Sequence, residues 1–121
     1  MEKTIYKICP RPEWESAAKI GTYYGSSDDV CDGFIHFSCA SQLAGTLAKH
    51  FTNQTDLVLV SVPIVELGTE LKWEASRGGQ LFPHLYGNLN TALAIAIQKI
   101  EHGKDGHIIP DWPDLPHLKA N

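Results

Sequence analysis

Clustered positive charge and long apolar runs are both missing from this chain of 121 residues. Ten Lys and Arg against fourteen Asp and Glu give a formal net charge of −4, and the basic residues are not concentrated as they are on a nucleic-acid-binding surface. The N-terminal residues lack the apolar core of a signal peptide, and no apolar run approaches bilayer-spanning length. We therefore expect a soluble, cytoplasmic protein that binds neither extended nucleic acid nor a membrane.

Cysteine is also scarce. Cys9, Cys31 and Cys39 are odd in number and irregular in spacing, which favours reduced, mostly buried thiols over a disulfide framework. Two of them, Cys31 and Cys39, flank His36 as possible metal ligands, but the spacing matches no common zinc motif. We therefore expect no metal site.

The composition, with 43% hydrophobic and 20% charged residues, suits one domain over residues 1–121, with a core from about residue 5 to 111 and an irregular tail over 112–121. Periodicity predicts helices over 12–21 and from Ser38 or Ser41 to Phe51, with a loop over 21–33. It predicts strands over 5–9, 34–38, 57–62, 71–74 and the second half of 92–100, with a return strand from 107. The continuous apolar run over 57–62 should be a central strand. These elements predict an α+β fold with a mixed, split β-sheet and about two helices.

Two short runs place a histidine among apolar residues, with a hydroxyl two positions later. GFIHFS covers 33–38 and FPHLYG covers 82–87. In a strand, alternate side chains share a face, so His36 should lie beside Ser38 and His84 beside Tyr86. Histidine can donate, accept or carry charge near neutral pH. We therefore expect the two runs to form opposite walls of one cleft.

Further candidate site residues lie between and before these runs. Glu74 is the carboxylate nearest the second run and could accept a hydrogen bond from a substrate hydroxyl or act as a general base. Tyr86 and Tyr23 are candidate platforms for a ligand ring, and Ser26 lies in the predicted loop near Tyr23. Arg77, flanked by glycines, could close over a phosphate. The structural alternatives are a core histidine, a packing aromatic, a solvated carboxylate and a surface arginine.

The order of these motifs resembles a known bacterial family, catalogued as domain of unknown function 952, over about residues 5–111. GFIHFS, LVLVSVP and FPHLYG carry the resemblance. That family has been grouped by fold with the ADP-ribosyltransferases, and its layout is similar to that of the RNA 2′-phosphotransferases. The resemblance implies a split-sheet, ADP-ribosyltransferase-like fold whose cleft binds NAD or a related nucleotide, with His36 as a ligand-binding residue. Tyr6 and Lys7 occupy the first-strand position where that class carries an Arg or His.

Three functions follow as alternatives. The first is an enzyme of the ADP-ribosyl class, in which His36 and His84 contact ribose or phosphate and Glu74 stabilises the charge that develops as nicotinamide leaves. The second is a non-catalytic module that binds a nucleotide or small metabolite. The third is a two-histidine phosphoesterase, because His36-Phe37-Ser38 has the His-x-Ser/Thr form, although His84-Leu85-Tyr86 departs from it.

Overall fold

The computed structural model describes residues 3–110 of the chain. The predicted tail and the predicted core boundary at residue 111 therefore lie outside the described residues. The elements, in chain order, are β1 (Thr4–Pro10), α1 (Arg11–Ile20), β2 (Thr22–Tyr23), α2 (Ser27–Asp32), β3 (Ile35–His36), α3 (Leu43–His50), β4 (Leu57–Pro63), β5 (Leu71–Ala75), β6 (Leu81–Leu85), β7 (Leu89–Asn90), β8 (Ala96–Gly103) and β9 (Gly106–Ile108). Within residues 3–110, no helix combines the length and apolar character that crossing a bilayer requires.

The strands form a four-stranded sheet of order β1-β4-β8-β9, a three-stranded sheet of order β3-β6-β5, and the short pair β2-β7. The α+β class is confirmed, but the predicted mixed sheet is wrong, because every strand pairing among the described residues is antiparallel. Leu57 lies opposite Pro10. The chain therefore enters β4 at the end where it left β1, and a parallel crossover never forms.

Among the described residues, one isolated backbone bridge joins the two larger sheets. Tyr6 of β1 and Ser38, just beyond β3, form an isolated bridge in which each amide donates to the other's carbonyl at 2.9 Å. Strand β1, which contains Tyr6, pairs with β4 along its whole length. The sheet is thus split, as predicted. The gap between its two parts begins at Ser38, the last residue of the GFIHFS run.

Strand β4 is the centre of the core, as predicted. Its residues from Leu57 to Val62 are buried. Val58, Val60 and Val62 pack on the side of α1, whereas Leu57 and Leu59 pack on the side of α3. The predicted strand in the second half of 92–100 is confirmed as β8, and its return strand as β9.

Both predicted helices are confirmed as α1 and α3, but the loop predicted over 21–33 is wrong at β2 and at α2. This six-residue helix has one buried residue, Asp29, so it shows no apolar periodicity. Its ends are fixed by caps instead. Ser26 and Asp29 form a capping box, and Gly33 adopts a left-handed conformation with φ of 87° after the last turn.

The thiols agree with the prediction of reduced, mostly buried cysteines. Cys9 and Cys39 are buried, Cys31 is exposed, and none of the three forms a disulfide. Burial raises the pKa of the Cys9 thiol to about 12. That thiol is therefore protonated at neutral pH and is a poor nucleophile.

Candidate functional site

A cavity of about 280 Å³ lies at the split between the two larger sheets. Side chains from β1, α2, β3, the end of α3 and β6 line it. Those that carry polar or charged groups are Tyr6, Lys7, Ser26, Asp28, Asp29, Asp32, His36, Ser38, Thr46, Lys49, His50, Ser76 and His84. Ile8, Phe37, Phe51 and Phe82 supply apolar surface. The cavity therefore offers charged, hydrogen-bonding and ring-stacking contacts within one small volume.

The two predicted histidines both line this cavity. His36 stands directly opposite His84 in the antiparallel pairing of β3 with β6, and their ring centroids are 5.4 Å apart. The expectation of opposite walls is therefore wrong, because the rings lie side by side on one face of one sheet. The alternation of side chains along a strand predicts which residues share a face with each histidine. It does not predict which strands pair with each other.

His36 is held between two carboxylates of α2. Its Nδ1 lies 2.6 Å from Oδ1 of Asp29, and its Nε2 lies 3.0 Å from Oδ2 of Asp32. The backbone amide of His36 also donates to Asp29 Oδ1 at 3.2 Å. Both edges of this ring are consequently occupied by side chains from the helix that was predicted to be a loop.

Asp29 joins His36 to a buried lysine. Lys7 Nζ donates to Asp29 Oδ2 at 2.7 Å and to the carbonyl of His36 at 3.1 Å, and both Lys7 and Asp29 are buried. Burial alone would raise the pKa of Asp29, but the hydrogen bond from His36 and the charge of Lys7 outweigh it and hold that pKa well below its ordinary range. Asp29 is therefore ionised at neutral pH.

His84 has a carboxylate partner of its own. Its Nδ1 lies 2.8 Å from Glu74 Oε1, and the Tyr86 hydroxyl donates to the same oxygen at 2.7 Å. These two hydrogen bonds hold the pKa of Glu74 below its ordinary value, and the carboxylate raises that of Tyr86. The ring of Phe34 stacks on His84, with centroids 4.1 Å apart and planes inclined by 25°.

The chain matches the model of a family described as "Protein of unknown function (DUF952)" over residues 8–97. This chain belongs to the DUF952 family. The DUF952 chain is similar to the crystal structure of protein CC0527 from Caulobacter crescentus, with 44% identity, a TM-score of 0.83, and coverage of 96% of this chain and 98% of that one. The solution NMR structure of CC0527 gives 43% identity, a TM-score of 0.78 and 98% coverage of both chains. No curated protein matches the chain.

The other predicted site residues of the DUF952 chain lie in three different places. Ser26 and Ser38 line the cavity, and Ser38 Oγ lies 3.0 Å from Thr46 Oγ1. Glu74 contacts His84, Tyr86 contacts Glu74, and neither Glu74 nor Tyr86 lines the cavity. Tyr23 is buried in the core against Trp14 and donates to Glu13 Oε2 at 2.5 Å.

Arg77 belongs to the short turn Arg77–Gly79, and its side chain lies outside the part of the structure that is described. The predicted closure of this guanidinium over a phosphate stays a prediction.

Sequence reasoning missed the residues that hold His36. Lys7 lies in a strand whose neighbours are all buried, and a buried ammonium requires a carboxylate partner. The spacing of Ser26 and Asp29 is that of a capping box. Together, the buried lysine and the capping-box spacing predict that a helix starts close to the first strand. They also predict that the carboxylate at its N3 position, Asp29, faces Lys7.

Proposed function

We propose that this DUF952 protein binds a nucleotide of the NAD or ADP-ribose type in the cavity at the sheet split. The observation that carries the proposal is the pair of histidines in register on the cavity lining, each with a carboxylate at Nδ1. The fold resemblance to ADP-ribosyltransferases inferred from the sequence supports the same class of ligand. His36 and His84 would contact the ribose or a phosphate.

The rest of the lining fits parts of such a ligand. Phe51 and Phe82 offer apolar ring surface for a base or a nicotinamide ring. Lys49 at the exposed end of α3 attracts a phosphate, and Ser38 can hydrogen-bond a ribose hydroxyl. The volume of about 280 Å³ is near the lower end of small-molecule sites, which are about 300–1,000 Å³. We therefore expect one mononucleotide portion to be enclosed.

Within this proposal, two predicted roles change. Glu74 accepts from His84 and Tyr86 and does not line the cavity, so it acts on the ligand through His84 rather than by holding the ribose. Tyr23 is a core residue whose hydroxyl is bonded to Glu13. Phe51 and Phe82 replace Tyr23 and Tyr86 as the proposed ring contacts.

A thermal-shift panel of NAD, ADP-ribose, AMP and cyclic nucleotides tests the binding. A ligand that binds only the folded state stabilises it by about 2.7 kcal/mol when present at 100 times its Kd, so we expect at least one member to raise the Tm. The variant His84→Ala should lose the shift, whereas His102→Ala, an exposed histidine outside the cavity, should keep it. A panel without any shift at millimolar concentration contradicts the proposal.

Whether the bound nucleotide reacts is a separate measurement. Incubation with NAD should release nicotinamide if the protein is an enzyme of the ADP-ribosyl class, and His36→Ala and His84→Ala should reduce the release to background. A Tm increase with NAD that is not accompanied by nicotinamide release identifies a non-catalytic binding module.

The phosphoesterase alternative is less favoured by the geometry. That chemistry uses two imidazoles, each with one nitrogen available for proton transfer, but His36 has a carboxylate at both nitrogens. Incubation with a 2′,3′-cyclic nucleotide decides this alternative. An unopened ring would remove it.

A further inference from the structure

The two histidines at the cavity are similar in sequence context but differ in the partners of their ring nitrogens. Carboxylate oxygens face both nitrogens of His36, at 2.6 and 3.0 Å. The one carboxylate at His84 faces Nδ1, at 2.8 Å. An ionised carboxylate only accepts hydrogen bonds, so its position determines which ring nitrogen must carry a proton.

We infer that the histidines divide the work of the site: His84 is the group that exchanges a proton with the ligand, and His36 is a fixed cation that positions α2 along the cavity. The identity of the ligand rests on the proposed function. The assignment of the two rings rests on hydrogen bonds that are present in the free protein.

Asp29 determines which nitrogen of the His36 ring carries a proton. This carboxylate is buried, ionised and bonded to Lys7, so Nδ1 of His36 must donate to it. The nitrogen Nε2 faces Asp32, and a bare lone pair in that place would oppose the carboxylate oxygen. The doubly protonated ring satisfies both contacts. A ring in this form has no nitrogen that can accept a proton.

The two contacts of the His36 ring, with Asp29 and Asp32, form a clamp on α2. This clamp also explains how α2 is held. The helix has six residues and buries only Asp29, which is too little apolar contact to hold it against the sheet. The imidazolium ring of His36 contacts Asp29 and Asp32 on the same helix. Three cavity-lining aspartates, Asp28 included, belong to α2, so the position of His36 sets the position of that wall.

Glu74 determines which nitrogen of the His84 ring carries a proton. Because the pKa of Glu74 lies below its ordinary value, the carboxylate is ionised and Nδ1 of His84 donates to it. The neutral ring then has a lone pair on Nε2. His84 lines the cavity and Glu74 does not, so we assign contact with the ligand to Nε2, the ring nitrogen that does not face Glu74.

This division describes the ligand more closely. A suitable ligand presents a hydroxyl to Nε2 of His84, as a ribose does, because both ring nitrogens of His36 already face carboxylates of α2. In the proton transfer, the O–H bond of the ligand hydroxyl breaks, its electron pair stays on the oxygen, and an N–H bond forms at Nε2. Glu74 then stabilises the imidazolium. The two rings, 5.4 Å apart, are close enough to contact adjacent groups of one sugar.

The protonation of each ring can be read by long-range ¹H–¹⁵N NMR on the ¹⁵N-labelled protein at neutral pH, without ligand. The variants His36→Gln and His84→Gln assign the signals. We expect two protonated nitrogens for His36, and for His84 a protonated Nδ1 with a bare Nε2. The opposite assignment, or a bare nitrogen on His36, overturns the inference.

A second pair of variants separates positioning from simple loss of folding. Asp32→Asn removes the carboxylate at Nε2 and should convert His36 to a singly protonated ring at neutral pH. Asp28→Asn, on the same helix and also on the lining, should leave the His36 signals unchanged. Equal signals in Asp32→Asn and the wild type contradict the clamp.

Titration with AMP as the probe distinguishes this inference from the proposed function. We expect AMP to perturb Nε2 of His84 more than either nitrogen of His36. If the free protein shows the expected protonation and AMP, NAD and ADP-ribose leave every ring unchanged, the proposed ligand is wrong while the assignment of the two rings stands. A larger change at His36 overturns the inference.

Discussion

Asp29 links more parts of the site than any other residue described above. Its two oxygens accept from Lys7 Nζ, from the amides of Ser26 and His36, and from the His36 ring. A charged carboxylate can be buried only when such partners replace its lost hydration. The side chain therefore connects β1, the start of α2 and β3, and each of these elements loses a contact when it is removed.

Asp29→Asn should be strongly destabilising. The amide cannot neutralise Lys7, which is left as a buried charge without its counter-ion, and breaking a buried pair in this way costs about 3–5 kcal/mol. Urea denaturation measures the loss. Asp28→Asn is the matched control, because Asp28 is an exposed neighbour on the same helix, and its effect should stay within about 0.5 kcal/mol. Similar losses in the two variants would show that Asp29 is not specially placed.

The pH dependence of stability should also report on Asp29. The pKa of this carboxyl is lower in the folded state than the value of about 3.9 in an unfolded chain. Its contribution to the free energy of unfolding is therefore complete above the unfolded pKa, starts to decline as the pH falls through about 4, and is lost completely only as the pH falls through the lower pKa of the folded state. We expect the urea midpoint of the wild type to fall more steeply than that of Asp29→Asn between pH 5 and pH 3. Parallel curves would contradict this assignment.

At the scale of elements, the helices differ in what their sequences reveal. Trp14 and Ala17 in α1, and Leu43 and Leu47 in α3, are buried at three- and four-residue spacing, so periodicity finds both helices. Helix α2 has no such spacing. Its existence depends on Ser26, on the Gly33 cap and on contacts to residues distant in sequence, and only the first two are visible locally.

Ser26→Ala tests the caps of α2. The Ser26 hydroxyl accepts from the Asp29 amide at 3.1 Å, and loss of such an N-cap costs about 1 kcal/mol. We expect a lower free energy of unfolding together with weaker nucleotide binding, since α2 lines the cavity. Ser27→Ala, one position into the helix and exposed, should change neither quantity. If it destabilises as much as Ser26→Ala, the capping argument fails.

The strands of the site show the same limit of sequence reasoning. Alternation and apolar content identify the segments around His36 and His84 and predict which side chains share a face. The pairing of Ile35 with Leu85 and of His36 with His84 depends on how the chain returns between residues 38 and 81. No local pattern specifies that return, so the side-by-side arrangement of the two rings could not be predicted.

At the scale of the whole molecule, the cavity lies where two sheets share one backbone bridge. Tyr6 lines the cavity from one sheet, and Ser38 lines it beside the other. A ligand in this position contacts both sheets and adds connections that the backbone lacks. Binding should therefore oppose the local opening in which the sheets separate.

Amide hydrogen exchange should detect this effect. The amides of Tyr6 and Ser38, each bonded to the other's carbonyl at 2.9 Å, should exchange more slowly when a saturating nucleotide is present. The amide of Val60, in the middle of β4, serves as the reference for global stabilisation. Slower exchange of Tyr6 and Ser38 only in proportion to Val60 would show that binding does not act on the bridge.

The register of β3 and β6 has a practical consequence for altering ligand preference. Backbone hydrogen bonds between two strands set the spacing of the His36 and His84 rings, so changes in the surrounding segments leave that spacing in place. The remaining walls come from β1, from α2 and from the end of α3, and Asp28 and Lys49 on the two helices are exposed. A library that varies Asp28, Lys49 and Phe51 and leaves β3 and β6 intact should change the size and charge of the accepted ligand without altering the spacing of the two histidine rings.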